Sequence, residues 1–218
     1  MMRPLLERAM NPGMSRFFLS LALWASLPAT ATADTLPLEE ISRYLNGLKT
    51  AEAGFIQINE DGSTYSGRLF IHRPGRIRFE YDPPNDALVM AGGGQVAIFD
   101  PKSNQPPEQY PIRLTPLAII LDENIDLEAA GMILDHRAEG KRTILVAHDP
   151  ANPDYGSIEL AFAGPPAELQ EWTVVGGDGS RTIILLEDVR SGIELSSFLF
   201  NIPHEIRQRE DGNGAASR

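Results

Sequence analysis

The stretch GRLFIHRPGRIRFEY, residues 67–81, alternates with a period of two on either side of RPGR. Leu69 and Ile71 share one face of a strand, and Arg68, Phe70 and His72 share the other. Beyond the turn, Ile77, Phe79 and Tyr81 lie on one face and Arg76, Arg78 and Glu80 on the opposite one. Successive side chains of a strand point to opposite faces, so the stretch reads as a β-hairpin with one apolar face. The same count sets Arg73 on the apolar side, beside Ile71. A guanidinium buried there needs acceptors, and no acid stands next to it in sequence.

Outward from the hairpin, period two persists. Strands are expected at 53–59, 64–73, 76–82, 86–91 and 95–100, separated by EDGS, RPG, DPPND and GGG. A second run is expected at 132–138, 142–149, 155–163, 168–175, 180–188 and 193–200, joined by AEGK, DPANPD, GPPA and GGDGS. About eleven strands with short connections predict one antiparallel sheet, strongly curved or partly closed. The chain has no βαβ rhythm, which argues against a nucleotide-binding α/β sheet.

Two pieces break the period. In LPLEEISRYLNGLKT, residues 36–50, Leu38, Ile41, Leu45 and Leu48 form one stripe of a helix, with Pro37, Glu39 and Glu40 suited to its first turn. Residues 101–131 interrupt the strands. They open on the Pro-rich DPKSNQPPEQYPIR and continue into LTPLAIILDEN, a short helix that Thr115 is placed to cap, with Pro116 at its first position. Leu117 to Leu121 are all apolar over more than one turn, so this helix must be covered on most sides. It either plugs a curved sheet or belongs to an ordinary core.

Composition bounds the function. The 218 residues include no cysteine, which leaves no disulfide framework, no Cys-based zinc site and no thiol nucleophile. The net charge of -11 argues against nucleic acid as a partner. Arg16 precedes FFLSLALWASLP, an apolar run too short to span a bilayer, and ATATAD supplies an Ala-x-Ala cleavage site ending at Ala31 or Ala33. Residues 1–33 therefore read as a secretory signal peptide and Asp34 as the first mature residue. Its loss removes Arg3, Arg8, Arg16 and Glu7, which leaves 16 basic and 29 acidic residues and a charge of -13. The polar tail 206–218 reads as disordered.

Catalytic patterns are missing from the sequence. The histidines at 72, 136, 148 and 204 have no helical metal spacing between them. Asp122, Asn124 and Asp126 have calcium-loop spacing, but Leu127 and Ile133 stand where such a loop needs Gly and Glu. There is no G-x-S-x-G, Walker or G-x-G-x-x-G motif. What remains is binding, on the apolar face of the sheet, with no metal, no cofactor and no enzyme activity expected.

The order of the motifs adds to this. GFIQ at 54–57 is followed by SGRLFIHRPGRIRFEYDPP, GGGQVAIFDP, YPIRLTPLAIIL, EWTVVGGDGSRTIILLEDV and FLFNIP. This series, spanning about residues 38–203, resembles the outer-membrane lipoprotein carrier proteins, the LolA family. The resemblance implies a mainly β fold, an unclosed antiparallel half-barrel of about eleven strands over residues 34–205, with short helices as a lid over a hydrophobic cavity. It implies a periplasmic carrier, a monomer, for the acyl chains of triacylated lipoproteins. The partners so implied are an inner-membrane ABC-type lipoprotein-releasing complex and an outer-membrane acceptor such as LolB. An alternative is a periplasmic lipid- or lipoprotein-binding sensor of the same fold that does not ferry cargo. The cavity residues expected on this basis are Phe55, Leu69, Ile71, Ile77, Phe79, Tyr81, Leu117, Ile120 and Leu121. Arg73 is expected to latch the lid by donating to carbonyls left free at a helix end.

Overall fold

The computed structural model describes residues 35–103, 105–129 and 131–216; the expected signal peptide, 1–33, lies outside them. Eleven antiparallel strands form a single sheet: β1 (Thr50–Asn59), β2 (Thr64–His72), β3 (Ile77–Tyr81), β4 (Leu88–Gly92), β5 (Gln95–Phe99), β6 (Glu108–Pro111), β7 (Ile133–Glu139), β8 (Arg142–His148), β9 (Gly156–Ala163), β10 (Glu168–Gly176) and β11 (Arg181–Ser191). Their order is β6-β5-β4-β3-β2-β1-β11-β10-β9-β8-β7. The first six strands and the last five are two meanders, joined where β1 pairs with β11. β6 and β7 are the two free edges, so the sheet is not closed.

This order explains why the period breaks in mid-chain. The segment after β6 must carry the chain from one edge of the sheet to the other. It does so through a 3-10 turn at Ile112–Leu114 and the helix α2 (Leu117–Leu121), which buries Ile120 and Leu121 against the sheet's apolar face but leaves Leu117, Ala118 and Ile119 half-buried, so it is covered on one side rather than on most. The other helix, α1 (Leu38–Gly47), turns Ile41 and Leu45 onto the same face.

In the opening hairpin the two expected apolar faces come side by side. Ile71 pairs with Ile77, Leu69 with Phe79 and Gly67 with Tyr81. Arg73 lies one residue past the end of β2, in the turn, and is buried.

Three expectations differ from the structure. Residues 193–200 are not a strand: a 3-10 turn occupies Ser197–Phe200. β11 already lies between β1 and β10, so both its edges are taken and the segment that follows it cannot pair with it as the next strand of the meander. The eleventh strand is instead β6, within the Pro-rich segment. An edge strand tolerates proline because half of its backbone groups need no partner. Thr115 does not cap α2; its hydroxyl donates to the Ile112 carbonyl at 2.8 Å, and Pro116 precedes the helix.

Third, the tail expected to be disordered continues helix α3 (Ile202–Ala216). Its polar composition hides two apolar residues one turn apart. Ile202 and Ile206 pack on Leu88, Met90, Ala97 and Phe99, which line the face of β4 and β5 opposite the lid. Arg78 of β3 reaches across to the Leu199 carbonyl at 3.1 Å and to Glu205 at 3.0 Å, and Glu205 also holds Arg209 at 2.8 Å. Arg209 in turn covers the Phe99 ring.

Candidate lipid-binding concavity and its lid

One face of the sheet is apolar along most of its width. Phe55 of β1, Leu69 and Ile71 of β2, Ile77 and Phe79 of β3, Leu160 of β9, Trp172 of β10 and Ile184 of β11 belong to a single buried cluster. Strand alternation brings them to one side, and burying each large apolar side chain contributes about 1.5–3 kcal/mol. Aromatic rings run along this wall edge to face. Phe55 packs against Phe79 at 5.3 Å and against Tyr81 at 5.1 Å, and Phe79 packs against Trp172 at 6.4 Å.

The two helices fill the concavity. Ile41, Leu45 and Leu48 of the α1 segment join the cluster, as do Ile120 and Leu121 of α2 and Ile125 and Leu127 beyond it. Tyr44 meets Phe162 of β9 edge-on at 5.8 Å. Between α1 and strands β1 and β2, a cleft lined by Tyr44, Leu48, Ala53 and Leu69 holds about 10 Å³, space for one water. The side chains of the two helices thus fill the concave face almost completely.

Arg73 fastens this arrangement. It is 4% exposed. Its Nε donates to the Asp122 carbonyl at 3.1 Å, and a terminal nitrogen donates to the same oxygen. The other terminal nitrogen donates to the Leu45 carbonyl of α1. One guanidinium thus joins the ends of both helices to the hairpin turn. Next to it, Gly75 N–H donates to the Leu121 carbonyl at 2.8 Å and Arg73 N–H to the Lys49 carbonyl at 2.8 Å. Burial lowers the pKa of Arg73, opposed by the charge of Asp122. Among the described residues the group is in no salt bridge, so carbonyl dipoles do most of the solvating.

Asn46 is a second fastener that the sequence reading missed. Its amide nitrogen donates to the Ile125 carbonyl at 2.8 Å and its oxygen accepts from Ile125 N–H at 2.9 Å. This pair ties the last turn of α1 to the segment after α2. An Asn in the last turn of a striped helix looks like an ordinary helix end, and its partner lies 79 residues away.

Of the residues expected to form the cavity, Phe55, Leu69, Ile71, Ile77, Phe79, Ile120 and Leu121 are buried in the cluster. Tyr81 and Leu117 pack against it from its margin. Burial pushes the Tyr81 phenol up to about 12, so it stays neutral at physiological pH and donates to the Gln57 side chain. The structure therefore brings together one continuous apolar wall, two helices that cover it and one cation that fastens them.

The family model described as outer membrane lipoprotein carrier protein LolA matches residues 46–203. The chain belongs to the LolA family. Its match begins at the end of α1 and takes in all eleven strands, the latch turn and α2. The outer-membrane lipoprotein carrier protein of Pseudomonas aeruginosa is 27% identical over 198 residues, covering 86% of this LolA-family chain and 93% of its own. That of Chromohalobacter salexigens is 28% identical over 204 residues, covering 87% and 95%. Among solved structures, the LolA superfamily protein from Nitrosomonas europaea covers 76% of this chain and 98% of its own, with a TM-score of 0.38 and 10% identity.

Proposed function

We propose that this chain is a periplasmic carrier. It binds the acyl chains of triacylated lipoproteins released from the inner membrane and delivers them to the outer membrane. The observation that carries the reading is the pairing of a wide apolar wall with a lid held by carbonyl bonds to Arg73. The relatives named as lipoprotein carriers support it.

The physics of the task matches this build. Acyl chains in water cost about 0.8 kcal/mol per exposed methylene, so an escort must bury them. A permanent cavity would bind too tightly for handover. Here the lid's own Leu45, Ile120 and Leu121 occupy the wall until cargo displaces them. Entry breaks the Arg73 bonds, and charge-assisted bonds are worth about 1.5–3 kcal/mol each. Affinity is reduced by that amount, and the lid favours release when an acceptor takes the cargo. Transfer then needs differences in affinity and no catalysis.

On this reading residues 1–33 are removed on export, and the carrier is a monomer whose body runs past the expected boundary at 205 into the docked part of α3. Its partners are an ABC-type lipoprotein-releasing complex and an outer-membrane acceptor of the LolB kind. Mass spectrometry of the protein purified from periplasm tests the reading. Co-purified triacylated peptides, with outer-membrane lipoproteins lost on depletion, are expected. Bound phospholipid alone with normal lipoprotein sorting contradicts ferrying.

A further inference from the structure

Trp172 stands in the middle of β10 between Leu160 of β9 and Ile184 of β11, its neighbours across the sheet. It is 1% exposed and meets Phe79 edge to face. Its Nε1 is buried and has no hydrogen-bond partner among the described residues. The other such atom, His72 Nδ1, belongs to a half-buried ring beside Phe200 on the opposite face. Trp172 is the orphan inside the concavity.

A buried N–H without an acceptor is a net loss, since it leaves water and gains nothing in return. Phenylalanine would fill an apolar wall without that loss. Indole can only donate, so whatever satisfies it must bring an acceptor. Hydrocarbon chains have none. The ester and amide carbonyls at the head of each acyl chain do.

We infer that the Trp172 indole N–H is a ligand-binding donor that takes a carbonyl oxygen of the cargo's acyl linkages when the lid opens. The inference rests on the proposed acyl-binding reading and deepens it: the concavity selects acylated ligands over bare alkyl chains. The donor is left unpaired in the empty protein and paired in the loaded one. Loading therefore gains a bond, while the latch at Arg73 loses its own.

Two probes separate the possibilities. One is a peptide whose N-terminal cysteine carries two ester-linked hexadecanoyl chains on an S-glyceryl group. The other is its dialkyl ether counterpart, equal in chain length but without those carbonyls. In the full-length chain with Trp24→Phe, Trp172 is the single indole. Its N–H proton resonance is expected to move downfield with the ester probe and to stay near its empty-state position with the ether probe. The Trp172→Phe variant should bind the ester probe about three- to tenfold more weakly, the range of one neutral hydrogen bond. It should also lose most of the preference for ester over ether. If both probes bind the unaltered protein equally and the resonance does not distinguish them, the donor role is wrong while the carrier reading stands. If neither probe binds, both fall. If Trp172→Phe does not fold, the resonance alone decides.

Discussion

The Arg73 guanidinium and the Asp122 carbonyl meet across 49 residues of sequence, with Nε donating at 3.1 Å and a second nitrogen of the same group donating to the same oxygen. With the third bond to Leu45 O, this cation holds two helices at once. Carbonyls solvate it without neutralising it, and in the proposed carrier these bonds have to be replaced when the lid opens. A buried ion pair broken on one side would leave an uncompensated charge, which is far more costly.

Arg73→Leu removes those bonds and leaves the apolar wall intact. The share of protein recovered with lipopeptide bound should rise, and transfer to an acceptor should slow. Quantitative mass spectrometry of the purified variant and a transfer time course read both. A lower melting temperature with unchanged loading and transfer contradicts the latch.

Phe79→Glu puts a carboxyl between Phe55 and Trp172. Burial favours its neutral form, so the folded pKa rises above the unfolded value of about 4.3. In that window the native state holds more protons, and stability falls as pH rises. Thermal melts should show the variant's deficit growing from pH 5 to pH 8, with lipopeptide binding weakening in parallel, while Phe79→Leu shows no such trend. A deficit independent of pH means that the carboxyl has escaped to solvent.

Gly67 opens the hairpin and packs under the Phe55 ring. A Cβ there would lie 2.1 Å from the Glu80 carbonyl oxygen and 2.8 Å from Phe55. Backbone is in the way, so β2 and β3 must separate. Gly67→Ala should lower stability by about 1–3 kcal/mol, seen as a shifted denaturant midpoint at an unchanged slope. An unshifted midpoint contradicts the packing described.

Helix α3 docks through a carboxylate that titrates. Burial pushes Glu205 up, but hydrogen bonds from Arg209 and Arg78 outweigh it, and its pKa ends below the ordinary value. A depressed folded pKa contributes stability above the unfolded pKa that is lost as pH falls through the folded one. Amide protection factors along residues 202–209, referred to the intrinsic exchange rate at each pH, should therefore fall below about pH 4.3. Glu205→Gln should dock more weakly at neutral pH and lose that dependence. Equal protection factors in the two proteins across this range contradict the role of the ion pairs.

Much of this was legible from local pattern. The apolar face of the hairpin follows from alternation, and the packing of Ile120 and Leu121 from the apolar run that contains them. The place of Arg73 follows from its parity with Ile71. The rest depended on partners distant in sequence. FLFNIP alternates like a strand, but only the pairing of β1 with β11 reveals that the edge of β11 is already taken. The anchoring of α3 needs Arg78, 127 residues from Glu205. Asn46 and Trp172 look unremarkable until their partners, or the lack of one, are known.

In the proposed carrier, cargo enters by lifting the lid off the latch turn. Gly75 N–H donates to the Leu121 carbonyl at 2.8 Å, a bond between turn and lid that contains no side chain. Site-resolved amide exchange at Gly75 follows it directly. The amide should be protected in the empty protein and exchange markedly faster once a triacylated lipopeptide is bound, while Arg73 N–H, bonded to Lys49 O, changes less. Equal protection of Gly75 with and without bound lipopeptide would contradict the account.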